Sequence, residues 1–128
     1  MSSEPMMTHG APSWIEHHAK DGAAARAFYE KVLGWKIAEL PMQDGATYYG
    51  IMVGEHPIGG FSPMPADRGS WVSYITVDDV DARFKKAVAA GAKPLMEPFS
   101  VPGVGRMAHF ADPAGAVLAL ITYESQSA

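Results

Sequence analysis

Apolar and polar positions change period several times along this chain, and each change marks an element. Residues 12–20 read as a strand. Asp21 then stands at a helix N-cap ahead of residues 23–33. There Ala24, Phe28 and Val32 recur every four residues and predict one apolar stripe turned toward a sheet. Gly34 stops that helix. Residues 35–41 and 46–53 read as two strands about a Gln43-Asp44-Gly45 turn. Gly54-Glu55-His56-Pro57 reads as a further turn, and residues 58–64 as the next strand. The polar, turn-rich stretch 65–69 is a linker. The pattern then restarts. Residues 70–77 are a strand, Asp78 is the expected N-cap, and Asp81 completes a capping box. Val80, Phe84 and Val88 form the second helical stripe, which Gly91 and Pro94 end. Residues 93–99, 105–111 and 116–123 read as three more strands, the last two joined by an Asp112-Pro113-Ala114-Gly115 turn. Residues 1–11, small and polar, read as a flexible N-terminal tail.

The restart is a repeat. An offset of 57 residues aligns Ser13 with Ser70, Trp14 with Trp71, Asp21 with Asp78, Ala25 with Ala82, Arg26 with Arg83, Gly34 with Gly91 and Lys36 with Lys93. Caps are stereotyped, but the Ser and Trp matches lie outside them, so we read a duplication. Each copy is one strand, one helix and three strands. The expected fold is α+β: one domain over 12–124 made of βαβββ modules 12–64 and 70–124. The modules together would form one curved eight-stranded sheet, with helices on the convex face and a concave ligand cavity.

Composition narrows the function. The 128 residues carry a net charge of −4, with 48% hydrophobic and 19% charged residues, as in ordinary soluble domains. Lys and Arg are scattered, which argues against nucleic acid or an anionic membrane as partner. No apolar run reaches the length of a membrane span, and the first residues lack the basic and apolar regions of a secretion signal, so a cytoplasmic protein is expected. Cysteine is absent, which excludes disulfides, thiolate metal sites and a cysteine nucleophile.

Three stretches carry a resemblance. Trp14-Ile15-Glu16-His17-His18-Ala19-Lys20-Asp21 followed by Ala27-Phe28-Tyr29-Glu30-Lys31-Val32-Leu33-Gly34-Trp35 resembles the opening of the glyoxalase/bleomycin resistance/dioxygenase (vicinal-oxygen-chelate) superfamily. Val77-Asp78-Asp79-Val80-Asp81-Ala82 resembles its second helix start, and Gly105-Arg106 with Asp112-Pro113-Ala114-Gly115 its closing hairpin. The resemblance implies paired βαβββ modules, as the repeat does, and frequent homodimers. It also implies four metal-ligand positions, on the first and last strands of each module, holding a divalent cation against both oxygens of a substrate. Here those positions fall on Trp14, Trp71, Ala119 and either Gly60 or Ser62, none of them a His, Glu or Gln. We therefore expect no metal cofactor. Strand alternation would place Glu16 and His18 beside Trp14, and with His109 they are the candidates for a relocated metal site.

The aromatic residues suggest a ligand wall instead. Trp14, Phe61 and Trp71, with Glu16, His18 and Ala119, are the expected lining of the cavity, and His17 is expected under the helix layer. The reading from sequence is a glyoxalase-like protein that binds a small organic ligand. The alternative is a divalent-metal-dependent lyase, isomerase or extradiol-type dioxygenase.

Overall fold

A computed structural model describes residues 7–41, 45–64, 66–101 and 104–124. Among the described residues, eight strands and two helices make an α+β fold, in the order β1 (Pro12–His18), α1 (Gly22–Leu33), β2 (Lys36–Pro41), β3 (Thr47–Val53), β4 (His56–Phe61), β5 (Ser70–Thr76), α2 (Val80–Ala89), β6 (Lys93–Val101), β7 (Gly105–Ala111) and β8 (Val117–Tyr123). The chain divides into two compact units, Trp14–Val72 and Ser73–Ala128 with Met1–Ser13. Their strand orders, β2-β3-β4-β1 and β6-β7-β8-β5, are the same. In each, three strands run as an antiparallel meander and the first strand pairs parallel with the last. The duplication is thus present in the topology. The Gln43-Asp44-Gly45 turn and the 65–69 linker lie partly outside the described residues. Gly45 itself has φ 89°, a left-handed conformation that suits glycine.

The structural register of the repeat is not the 57-residue offset of the identities. β1 begins at Pro12 and β5 at Ser70, an offset of 58. The helix caps agree: the Asp21 side chain accepts from Ala24 N at 3.0 Å, and Asp79, not Asp78, accepts from Ala82 N at 3.1 Å. Asp78 instead takes the fork of Arg83, at 2.9 and 3.0 Å, which depresses its carboxyl pKa to about 2. The stretch from Asp79 to Gly91 is one residue shorter than that from Asp21 to Gly34, which restores the 57-residue spacing at the two glycines. Both glycines have positive φ, 68° and 110°, as helix stops require.

The two units build their cores differently. In the Ser73–Ala128 unit, Val80 and Phe84 of α2 pack onto Val77, Ala92, Ala108, Phe110 and Leu120, as the predicted stripe requires, while Val88 at its far end is exposed. In the other unit the predicted stripe is on the wrong side: Phe28 and Val32 are 56% and 57% exposed. Helix α1 turns Arg26 and Tyr29 inward instead. The Arg26 guanidinium carbon lies 3.6 Å from the centroid of the Tyr49 ring, and Tyr29 meets Trp35 and Trp71. Large aromatic partners on the sheet set the rotation of the helix, and apolar spacing alone does not record them.

The stretch before β1 is not loose throughout. Gly10 N donates to Thr76 O at 2.7 Å, and Thr76 N donates to Ala11 O at 2.8 Å. Residues 1–6 of the expected tail lie outside the described residues. Among the described residues, no helix is long and apolar enough to cross a membrane.

Candidate functional site

β1 separates two environments by alternation. Trp14, Glu16 and His18 share one face, and His17 the other. On the first face Glu16 is buried, at 8% exposure, yet it is well provided with partners. Tyr48 of β3 donates its hydroxyl to Glu16 Oε2 at 2.9 Å, and His18 Nε2 lies 2.9 Å from Glu16 Oε1. The Trp14 indole N–H donates to the Tyr48 hydroxyl at 3.3 Å, and the two rings stack at 6.4 Å between centroids with 27° between planes. The result is a partly open aromatic wall ending in a buried carboxylate.

Gly60 makes this wall possible. It pairs with Glu16 on one side and Gly50 on the other, so all three face the same way. A Cβ at Gly60 would run into Cε2, Cζ and Oη of Tyr48. The ring therefore lies flat across the glycine to reach Glu16. Tyr48 and Gly60 carried no sequence signal as a pair; only the strand register reveals them.

On the opposite face His17 sits in an aromatic cluster, as expected from its place under the helix layer. Its ring is 4.7 Å from Trp71, 5.4 Å from Phe61 and 5.8 Å from Tyr29. Among the described residues, its buried Nδ1 has no hydrogen-bond partner. Burial, and then the neighbouring charge of His18, push the His17 pKa below the usual 6.5. Phe61 and Trp71 belong to this cluster and not beside Trp14, which corrects the expected shared lining. The reason is the 58-residue register. Trp71 occupies the structural position of Ser13, not that of Trp14, and so takes the helix side.

In the Ser73–Ala128 unit the corresponding row is Tyr74, Ala119 and His109, adjacent across β5, β8 and β7. Tyr74 Oη and His109 Nε2 are 2.8 Å apart, with both residues buried. Ala119 is fully buried and pairs with both, and its small side chain leaves room for the two rings to meet. Below this row Thr76 Oγ1 donates to Ser13 Oγ at 2.7 Å, and Ser13 Oγ is 2.8 Å from Tyr123 Oη. Burial raises the Tyr123 pKa.

Of the residues at the metal-ligand positions that the resemblance implies, Trp14 and Trp71 offer only an N–H donor, Gly60 and Ala119 offer nothing, and Ser62, the alternative to Gly60, offers only a hydroxyl. Glu16 and His18 are engaged with each other, and His109 with Tyr74. Among the described residues, no group of three or more His, Cys, Asp or Glu side chains is placed to hold a metal ion. This donor set does not fit the implied four-ligand pattern.

Comparison with known proteins gives a consistent family. The model of the Glyoxalase/Bleomycin resistance protein/Dioxygenase superfamily matches residues 13–120. The putative glyoxylase CFP32 of Mycobacterium bovis is 34% identical over 117 residues, covering 87% of this chain and 45% of that protein. The anthracycline biosynthesis protein DnrV of Streptomyces peucetius is 35% identical over 127 residues, covering 87% and 46%. The chain thus spans about half the length of the curated relatives it matches. Among solved structures, hypothetical protein BH1468 from Bacillus halodurans shares the fold with a TM-score of 0.64, at 15% identity, over 94% of this chain and 99% of that one. The chain belongs to the Glyoxalase/Bleomycin resistance protein/Dioxygenase superfamily.

Proposed function

We propose that this superfamily member binds a small, planar, hydroxyl-bearing organic ligand on the Trp14–Glu16–Tyr48 face, without a metal ion at the superfamily's usual positions. The observation that carries this reading is the stacked Trp14–Tyr48 pair ending in the buried Glu16 carboxylate. Aromatic faces hold a planar body through offset stacking. A buried carboxylate accepts a hydrogen bond from a ligand hydroxyl and so fixes its orientation. Relatives named for anthracycline biosynthesis make a planar polycyclic phenol the first class to test. In the same reading the protein works in the cytoplasm, its partner is that ligand and neither nucleic acid nor membrane, and it forms a homodimer. The exposed Phe28, Val32 and Leu33 of α1 support the last point.

The second reading is a metal-dependent lyase, isomerase or extradiol-type dioxygenase, which the adjacency of Glu16 and His18 supports. One experiment separates the two. The purified protein is exposed to Zn²⁺, Mn²⁺, Ni²⁺ and Fe²⁺, dialysed, and assayed for metal per chain. It is then titrated with planar phenols while tryptophan fluorescence is followed. The proposal expects no stoichiometric metal and a saturable quench that Trp14→Phe and Glu16→Ala abolish. About one retained metal ion per chain, lost in Glu16→Ala or His18→Ala, would overturn it.

A further inference from the structure

On the helix side of the Trp14–Val72 unit, a cavity of about 410 Å³ opens between the start of α1, β3 and the residues after β4. Its volume is in the range of small-molecule pockets. Its charge is unusual for an acidic chain. Lys20 and Arg26 both line it, and no acidic side chain does so among the described residues. Elsewhere the arginines that pair are neutralised: Arg83 by Asp78 and Arg106 by Asp81, at 2.9 Å each. Arg26 has no such partner among the described residues and lies on the Tyr49 ring instead.

That stacking leaves the guanidinium edge available. A guanidinium lying over a ring keeps its N–H groups in its own plane, where they fork onto an oxyanion. Gly22 lets it lie close to the chain, because a Cβ there would come within 3.2 Å of Arg26 Nη1. Thr47 and Ser62 add hydroxyls to the wall, and Ser62 Oγ already accepts from Met64 N at 3.1 Å, so its proton is the part left to donate. The amide of Ala24 is occupied by Asp21, so the site rests on side chains and not on the end of the helix.

From this convergence we propose that the cavity lined by Lys20, Arg26, Thr47 and Ser62 binds the oxyanion group, phosphate or carboxylate, of a small ligand. The site is separate from the Trp14–Glu16–Tyr48 face and does not depend on what binds there.

The test is a pair of amide chemical-shift titrations on the whole chain, one with inorganic phosphate and one with propionate, at ionic strength held constant with chloride. The expected result is saturable shifts confined to the segments around Lys20, Gly22, Thr47 and Ser62. The tighter of the two anions identifies the group. Lys20→Gln should weaken binding several-fold, and Arg26→Gln about tenfold or more, since a charge-assisted bidentate contact is lost. Arg26→Lys keeps the charge without the fork and should fall between. Lys20 is exposed, so its variant tests the site without risk to the fold even where replacement of Arg26 disturbs the Tyr49 contact. Shifts that do not saturate with either anion, or that saturate identically in Lys20→Gln, would overturn the proposal.

Discussion

Replacing Gly60 by alanine tests the wall around Glu16 at its narrowest point. The added methyl would occupy the space of the Tyr48 ring, so the ring must swing away. With it go the hydroxyl's bond to Glu16 Oε2, the indole bond from Trp14 and the Trp14 stack. A hydrogen bond to a charged group contributes about 1.5–3 kcal/mol, and an aromatic pair about 0.5–1.5 kcal/mol. Tyr48 is only partly buried and regains water when displaced, which puts the expected loss in the lower half of that sum, about 2–3 kcal/mol. In a domain of this size that corresponds to a fall in Tm of about 8–12 °C. Urea denaturation, followed by circular dichroism and tryptophan fluorescence, measures it. The decisive comparison is a double-mutant cycle. In a Tyr48→Ala background the same methyl enters vacated space, and Gly60→Ala should be nearly neutral. A cost that is unchanged in that background would place it in the strand backbone and refute the account.

Two further outcomes follow from burial and charge. Phe84→Ala should cost about 3–5 kcal/mol, because Phe84 is 6% exposed in a packed cluster, while Phe28→Ala should change the stability of the isolated monomer by less than about 0.5 kcal/mol; equal costs by chemical denaturation at a concentration where the chain is monomeric would contradict the observed rotation of α1. The pKa of His17 is lowered on folding, so the unfolded chain binds its proton more tightly, and the His17 contribution is complete above pH 6.5 and is lost as pH falls below that value toward the folded pKa. Tm should therefore decline between pH 6.5 and pH 5 in the parent and decline less in His17→Phe; parallel curves would show that another group carries the effect.

The architecture was legible because it rests on local signals that survive duplication. The caps at Asp21 and Gly34, the Asp112–Gly115 turn and the Val80–Phe84 stripe each act through a few neighbouring atoms. In the turn, Asp112 Oδ1 accepts from the amides of both Ala114 and Ala116 at 2.9 Å, and Gly115 takes φ 91°. Such signals place elements to within a residue or two. That tolerance is harmless for a helix cap, where Asp79 can replace Asp78. It is not harmless in a strand, where one residue reverses every side chain.

That asymmetry decided what was read of the site. The identities at an offset of 57 made Trp14 and Trp71 counterparts, and counterparts should share a face. The first strands align at 58, so Glu16 corresponds to Tyr74; strand pairing then matches Gly60 with Ala119, while the two tryptophans take opposite sides. The grouping of Glu16 and His18 with Trp14 was readable, because it depends only on alternation within one strand. The dependence of that group on Tyr48 and Gly60 was not, because it depends on pairing between strands far apart in sequence. Seen in the correct register, the two units solve one problem in two ways. Each has a small residue on its last strand, Gly60 or Ala119, facing a polar residue on its first. Each uses the space to bring a ring onto that polar group: Tyr48 onto Glu16, and His109 onto Tyr74. Of these residues only Gly60 and Ala119 fall at positions where the superfamily resemblance implies metal ligands, and each lies beside a side-chain hydrogen bond. A buried Glu16 already oriented by two partners is suited to hold a ligand hydroxyl directly. Ala119→Glu should therefore displace the Tyr74–His109 pair and lower the Tm in metal-free buffer, and an unchanged Tm would contradict this reading.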